Sequence, residues 1–322
     1  MILIITEERD FVSQNVIDWL IFSKHDYLII NQNSKVKFLK AEISVNKLDL
    51  QIQIDSKIIN LSEVKSIWYR RHDFYLEHEY KNYSNSNSPI EDFIVDNLDA
   101  EVKDLENYIR ILINEFKYKI GDVKFSNINK LNVLQKAKQI GFSIPSTFIC
   151  NTKKELLKID KDIITKSIQE GIMFTHENIN YTTYTEYVNE RAKSKLPDSF
   201  FHSLLQEKIN KKYELRIFFY NDNYFPMAIF SQNDEQTKVD FRKYNLKIPN
   251  RFIPFSLPSI VLQKLKKLMD TLKLSTGSID LVVDINDVYY FLEVNPVGQF
   301  GMVSSPCNYN IEKKLVNTLL RN

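Results

Sequence analysis

The chain has 322 residues, 43% of them hydrophobic, enough for two or three structural units with sizeable cores. Its formal net charge is +2, and acids and bases so nearly balanced give no electrostatic footprint for nucleic acid. The 6 glycines exclude a glycine-rich repeat or linker-dominated design, and no apolar run is long enough to span a bilayer.

Residues 2–6 predict a strand, 12–22 have helical spacing, and 26–31 predict a second strand. The start, Met1-Ile2-Leu3-Ile4-Ile5 followed by Glu7, Glu8 and Asp10, lacks the basic segment and longer apolar run of a signal peptide. Alternation over 36–59 predicts a meander, and Ser66-Ile67-Trp68-Tyr69-Arg70-Arg71 predicts a strand with a basic end. Residues 83–89 read as a Ser/Asn loop. Ile94, Leu98, Val102, Leu105, Ile109 and Leu112 then recur at steps of three or four, the signature of a long helix. This first unit, 1–125, reads as α/β with an open sheet.

A helix over 130–140, with Leu131, Leu134 and Ala137 on one face, opens a second unit, 126–200. Gly141 stops the helix and Pro145 follows. Residues 162–167 predict a short apolar strand, and 171–199 read as loops around short strands. The last unit, 201–322, has strands at 204–209, 214–220 and 224–230, an amphipathic helix at 259–272, a hairpin at 277–299 and a terminal helix at 311–320. Cys150 and Cys307 are far apart in sequence and form neither a metal motif nor a disulfide framework, as expected of reduced thiols in a cytoplasmic protein.

The hairpin carries the most chemistry. A turn at Asp284-Ile285-Asn286-Asp287 pairs Val283 with Val288 and Asp280 with Phe291, which puts Phe291, Glu293 and Asn295 on the face of Asp280. Asp280 and Glu293 are then diagonal neighbours. Two carboxylates and an amide carbonyl are hard oxygen donors suited to Mg²⁺. Glu293 lies among Tyr289, Tyr290, Phe291, Leu292 and Val294, a context that favours a metal site over ordinary surface acids.

Lys166 interrupts the apolar strand Ile163-Ile164-Thr165, and a buried ammonium needs a partner such as a phosphate; on an edge strand it would point to solvent instead. Lys130, at a helix start, could add a second phosphate contact. Glu214 and Arg216 share a strand face, and Arg216 has the planar fork that suits phosphate or carboxylate; the two would also make a surface cross-strand pair. Asp240 and Arg242 face the same way in an extended segment. That suits carboxylate or acyl-phosphate handling by Arg242, with Asp240 orienting it or helping deprotonation, and equally an exposed ion pair. The five histidines show no ligand spacing.

Asp280, then Glu293-Val294-Asn295-Pro296, resembles the magnesium-binding signature of ATP-grasp ligases. Gln206-Glu207-Lys208-Ile209 is similar to that family's hinge, whose backbone meets adenine, and Glu214 has the spacing of the acid that binds ribose. The resemblance covers 126–300 in chain order, through Lys130, Lys166, Glu207, Glu214, Arg216, Asp280, Glu293 and Asn295. It implies α/β and α+β architecture: an ATP-grasp fold preceded by an open-sheet, pre-ATP-grasp domain. Lys211-Lys212-Tyr213-Glu214-Leu215-Arg216, Ser231-Gln232, Asp240-Phe241-Arg242 and Trp68-Tyr69-Arg70-Arg71 further resemble the graspetide synthetases, the microviridin-type maturases of ribosomal peptides. With Thr165-Lys166-Ser167, the pattern looks closest to the maturase of "grasp-with-spasm" systems; Phe241 stands where a Trp is common.

The resemblance implies ATP and Mg²⁺ as cofactors, a ribosomal precursor peptide of leader plus core as partner, no nucleic acid, no membrane, and a possible homodimer. The implied reaction activates Asp or Glu side chains of the peptide as acyl phosphates, which Thr, Ser or Lys side chains then attack to give esters or amides. An intermolecular ligase adding an amino acid to a protein or peptide would use the same ATP residues. A nucleotide-binding module without catalysis would have no need of the acid set.

Overall fold

A computed structural model describes residues 1–45, 47–78, 89–122, 128–169, 171, 173–177, 179–243 and 245–321. The expected Ser/Asn loop at 83–89, apart from Pro89, and the boundary at 125–126 lie outside the described residues. The chain divides into two compact units, Met1–Ser126 with Asn310–Asn322, and Asn127–Tyr309.

The first unit is built on the all-apolar strand β1 (Ile2–Ile5), whose four residues are buried. Strand β2 (Tyr27–Ile30) follows helix α1 (Phe11–Phe22) and pairs with β1 in parallel. After the antiparallel meander of β3 (Val36–Ser44), β4 (Lys47–Ile54) and β5 (Lys57–Asn60), strand β6 (Ser66–Tyr69) pairs on the other side of β1. Helix α2 (Pro89–Asn114) leads to β7 (Lys119–Ile120), giving a sheet of order β2-β1-β6-β7. The apolar stripe of α2 buries Ile109 and Leu112, whereas Ile94, Leu98 and Leu105 stay exposed. Arg70, just past β6, is buried and pairs with Asp10, the N-cap of α1, at 3.2 Å. Burial pushes its guanidinium down to about 10. Arg71 pairs with Glu7 at 3.5 Å.

The second unit opens with α3 (Lys130–Ile140), which Gly141 ends in the left-handed conformation at φ 96°. Val133, Leu134 and Ala137 are its buried face, while the expected Leu131 is only half-buried. Strand β8 (Thr147–Thr152), the short helix α4 (Lys153–Leu156) and β9 (Ile163–Lys166) follow. The stretch read as loops around short strands holds the hairpin of β10 (Met173–His176) and β11 (Ile179–Thr182), then β12 (Glu186–Tyr187) and, unforeseen, helix α5 (Glu190–Lys195). Strand β13 (Ser199–Glu207) sits between β9 and β8 in a sheet of order β12-β9-β13-β8, so the sheet changes after Glu207 rather than at 200.

The second sheet of this unit has the order β16-β15-β14-β17-β18, antiparallel throughout. Its strands are β14 (Lys211–Tyr220), β15 (Asn223–Phe230), β16 (Arg251–Pro254), β17 (Thr276–Asp284) and β18 (Tyr289–Asn295). Helix α6 (Ser259–Leu272) packs with α3, which also lies against β18. After the short α7 (Gly301–Ser304), helix α8 (Ile311–Leu319) packs on α1. The terminal helix therefore belongs with the first unit and not with 201–322. Its amphipathic face required a partner, and Ile311, Leu315, Val316 and Leu319 bury there. Among the described residues no helix is long and apolar enough to cross a membrane.

Candidate active site

Leu215 and Ile217 of β14 are buried, so the alternate residues Glu214 and Arg216 stand on the opposite face. Arg216 lies across from Asp280 of β17. On the other side of β17, Asp280 lies directly opposite Glu293, and Ser278 opposite Asn295. This corrects the expected register. Val283 pairs with Tyr289 rather than Val288, and Leu281, not Asp280, pairs with Phe291. The ladder shifts between Asp280 and Leu281, where β18 carries one extra residue, Leu292. Phe291 and Val294 both bury although they are three apart, a spacing a regular strand cannot give. The bulge turns Phe291 into the core against Phe142 and leaves Asp280, Glu293 and Asn295 on one face.

Asn295 is held by the turn that follows. Its Oδ1 accepts the Val297 N–H at 3.1 Å and its carbonyl accepts the Gly298 N–H at 3.0 Å. Gly298 lies so close to Ser278 that a Cβ there would sit 2.3 Å from the Ser278 Cβ. An amide oxygen has two lone pairs, so Asn295 Oδ1 keeps one for another donor or a cation.

Cations converge on these acids from three elements. Lys130 is the first residue of α3, whose N-cap Asn129 accepts the Asn132 N–H, and its Nζ lies 3.4 Å from Glu293 Oε2. Lys166, at the end of β9, lies 3.5 Å from the same oxygen. Arg216 Nη1 donates to both Asp280 oxygens at 3.2 Å, while its buried Nε–H finds no acceptor among the described residues. Burial raises the Asp280 carboxyl above its ordinary range, against the pull of Arg216 and with the help of Glu293. Burial acts the same way on Glu293, but Lys166 and Lys130 outweigh it and hold that carboxylate well below the usual range.

Among the described residues no group of three or more His, Cys, Asp or Glu side chains gathers as a metal site. The fit to magnesium rests on two carboxylates and one amide on a shared face, a hard-oxygen set. The orphaned Arg216 Nε–H and the lysines on Glu293 supply cationic donors beside it, as a polyphosphate requires.

The residues expected as the hinge, Gln206 to Ile209, lie where β13 leaves its sheet. The Glu207 N–H donates to Ser146 O and the Lys208 N–H to Asp162 O, both at 2.8 Å. The Ile209 N–H meets no acceptor among the described residues, so of the three amides it alone is free to donate elsewhere. The Gln206 side chain is buried and donates to Thr147 Oγ1 at 3.0 Å, which makes it a strut between β13 and β8. Glu207 Oε2 accepts from Lys161 Nζ at 2.8 Å and from Ser146 Oγ at 2.7 Å. The Lys161 hydrogen bond, opposed by partial burial and aided by Ser146, lowers this carboxyl. Lys208 Nζ sits over the Tyr187 ring, 4.5 Å from its centroid. Glu214 Oε1 accepts from Lys211 Nζ at 2.5 Å and from Ser231 Oγ at 3.1 Å, leaving Oε2 without a partner among the described residues.

Asp240 is buried and fully engaged. Its Oδ1 accepts the Arg242 N–H at 3.0 Å and Nε–H at 2.9 Å. Its Oδ2 accepts Arg242 Nη2 at 2.6 Å and the Thr185 N–H at 3.0 Å. Burial alone would raise its pKa, yet the Arg242 hydrogen bonds and charge bring it below the ordinary value. A carboxylate this stabilised orients Arg242 and is a poor proton acceptor. Arg242 is half exposed at 53% and so is open to a substrate.

Sequence reading missed Lys161, Ser146, Thr185, Glu186 and Lys243. Each is a polar residue of common type, for which a structural clamp and a solvated surface read alike in the sequence.

No protein-family model matches the chain, and no curated protein sequence does. Solved structures do, across the whole chain. A Chryseobacterium gregarium RiPP-associated ATP-grasp ligase, in complex with ADP and a leader and core peptide, superposes with a TM-score of 0.76 at 25% identity, over 99% of this chain and 96% of that one. The macrocyclase MdnC from Microcystis aeruginosa, bound with precursor peptide MdnA, gives 0.70 at 24% identity, over 100% and 99%. The D-alanine–D-alanine ligase from Bacillus anthracis gives 0.53 at 14%, over 99% and 95%, a likeness of fold. The fold is that of the ATP-grasp ligases, a class of ADP-forming enzymes. Within that class the chain is similar, end to end, to the graspetide-type peptide maturases.

Proposed function

We propose that the chain is an ATP-dependent peptide macrocyclase, which joins Asp or Glu side chains of a ribosomal precursor peptide to Thr, Ser or Lys side chains of the same peptide. The observation that carries this reading is one sheet face where Asp280, Glu293 and Asn295 stand beside Arg216, with Lys130 and Lys166 on Glu293. The full-length likeness to a ligase holding ADP with a leader and core peptide supports it.

Asp280, Glu293 and Asn295 would hold magnesium, which when bound supplies charge neutralisation at the nucleotide phosphates. The Ile209 N–H and the backbone around it receive adenine, and Glu214 Oε2 accepts from ribose. Lys130 and Lys166 exchange their contacts to Glu293 for phosphate oxygens. A peptide carboxylate oxygen attacks the γ-phosphorus, the bond to ADP breaks, and an acyl phosphate forms. Arg216 and Arg242 hold the carboxylate and the transferring charge in line, so positioning and electrostatics do most of the work. A hydroxyl or amine of the same peptide then attacks the acyl carbon, loses its proton, and phosphate leaves. Cys150 and Cys307 are buried free thiols, which fits a reducing compartment such as the cytoplasm. The resemblance suggests a homodimer, which light scattering on the purified chain tests.

Incubated with ATP, Mg²⁺ and its cognate precursor peptide, the protein should remove one water mass per linkage with no added amino acid. Replacing the activated Asp or Glu in the peptide should stop the loss. Mild alkali should reverse lactones and leave lactams intact. A mass gain equal to an amino acid would identify an intermolecular ligase instead. Nucleotide binding with no turnover on any peptide would identify a binding module.

A further inference from the structure

Besides Lys166, which spans from β9 to Glu293, a second set of contacts joins the two sheets of the Asn127–Tyr309 unit. It runs from the segment 184–187 to the loop 240–243. The Thr185 N–H donates to Asp240 Oδ2 at 3.0 Å. Lys243 Nζ pairs with Glu186 and lies 5.7 Å from the centroid of the Tyr184 ring. The segment runs into an edge strand: among the described residues β12 pairs only with β9, Glu186 opposite Thr165 and Tyr187 opposite Ile164. Glu186 thus faces the residue next to Lys166. At the other end, one carboxylate, Asp240, holds both the Thr185 amide and the Arg242 fork.

We infer that Glu186 and Lys243 are positioning residues, fastening the phosphate-binding strand pair β9–β12 to the Asp240–Arg242 loop so that Arg242 is set for the peptide carboxylate when the nucleotide site closes. The placement favours this over a role in stability alone. Glu186 is 56% exposed and Lys243 25%, and an exposed pair contributes little to folding, about 0–1 kcal/mol. What the pair fixes is geometry, because it and the Thr185–Asp240 bond are neighbours on the same two segments. Coupling of this kind is reciprocal, so nucleotide should tighten peptide binding, and peptide should tighten nucleotide binding by the same factor.

The inference rests on the peptide-ligase reading, and the test separates the two. Glu186→Gln, Lys243→Gln, and the exchanged double variant Glu186→Lys with Lys243→Glu are compared with the wild type. Each single variant should raise KM for the precursor peptide by about twofold to fivefold, the range an exposed ion pair supplies, with a smaller change in kcat. Affinity for a non-hydrolysable ATP analogue without peptide should stay within about twofold, and the exchanged pair should restore the peptide KM. Unchanged peptide KM in both singles, or failure of the exchange to restore it, overturns the inference while water loss by the wild type upholds the ligase reading. If the wild type joins no peptide, amide hydrogen exchange still decides. Binding of the Mg²⁺ complex of the ATP analogue should slow exchange at Thr185 in the wild type and less so in Lys243→Gln, and equal slowing in both removes the fastening role.

Discussion

Glu293 accepts from two lysines that reach it from different elements, Lys130 at the start of α3 and Lys166 at the end of β9. One carboxylate neutralises only one of the two ammonium groups, so the lysines keep positive charge for a polyphosphate. Lys166→Ala should therefore weaken ATP by about tenfold or more and adenosine hardly at all, since charge-assisted bonds to phosphate are worth about 1.5–3 kcal/mol. Calorimetry with both ligands checks it, and equal losses would make Lys166 a structural residue. Asp280→Asn and Glu293→Gln should each reduce Mg²⁺-dependent turnover by about a hundredfold or more with the fold intact. A folded double variant that turns over ATP at the wild-type rate would remove the metal assignment. Glu207 gives a pH prediction. Its folded pKa is depressed, chiefly by the Lys161 hydrogen bond, so its contribution is fully present above the ordinary carboxylate value and disappears as pH falls through the lowered one. Its side chain is 31% exposed, so Glu207→Gln should cost on the order of 1 kcal/mol at pH 7. The gap in melting temperature should close as pH falls below the ordinary carboxylate range, and a gap that widens in acid would reverse the sign of the linkage.

The hairpin β17–β18 shows what a strand pattern reveals and what it hides. Its acids, its turn region and the stop at Asn295-Pro296 are legible as types and spacings. The bulge at Leu292 is not, because an extra residue in a run of Tyr, Tyr, Phe, Leu leaves the run apolar either way. A pairing written without it puts Phe291 on the acidic face, whereas the buried Phe291 and Val294 mark the true inward positions. The hinge reading rests on resemblance, and nothing in Gln206-Glu207-Lys208-Ile209 announces that two of its amides are taken by Ser146 and Asp162. At this scale Gly298 is the most exposed to test. A methyl group there meets the Ser278 Cβ at 2.3 Å and its backbone nitrogen at 2.8 Å, and Ser278 is wholly buried. Gly298→Ala should cost about 1–3 kcal/mol, the range for forced overpacking. It should also weaken Mg²⁺ dependence by shifting the turn that holds Asn295. An unchanged melting temperature would show that the turn yields freely.

Across the whole molecule, the order of strands and helices follows from hydrophobic period, but the assembly of the two units does not. Helix α8 illustrates the reason. Its apolar positions Ile311, Leu315, Val316 and Leu319 specify that one face must be covered, and any complementary surface would satisfy that need. Adjacency in sequence suggested the last unit, yet the helix packs with α1 and β6, so the Met1–Ser126 unit is completed only by the end of the chain. This has a measurable consequence. Leu315 is fully buried, and its replacement by Ala should cost about 2–5 kcal/mol. The cost should fall on the first unit alone: amides of β1 and β6 should lose hydrogen-exchange protection while those of β14 and β17 keep theirs. Affinity for ATP should persist, because Lys130, Lys166, Glu214, Asp280 and Glu293 all belong to the Asn127–Tyr309 unit. Loss of protection in β14 and β17 before β1 and β6 would show that the terminal helix supports the other unit. A chain that keeps uniform protection would show that the first unit stands without it.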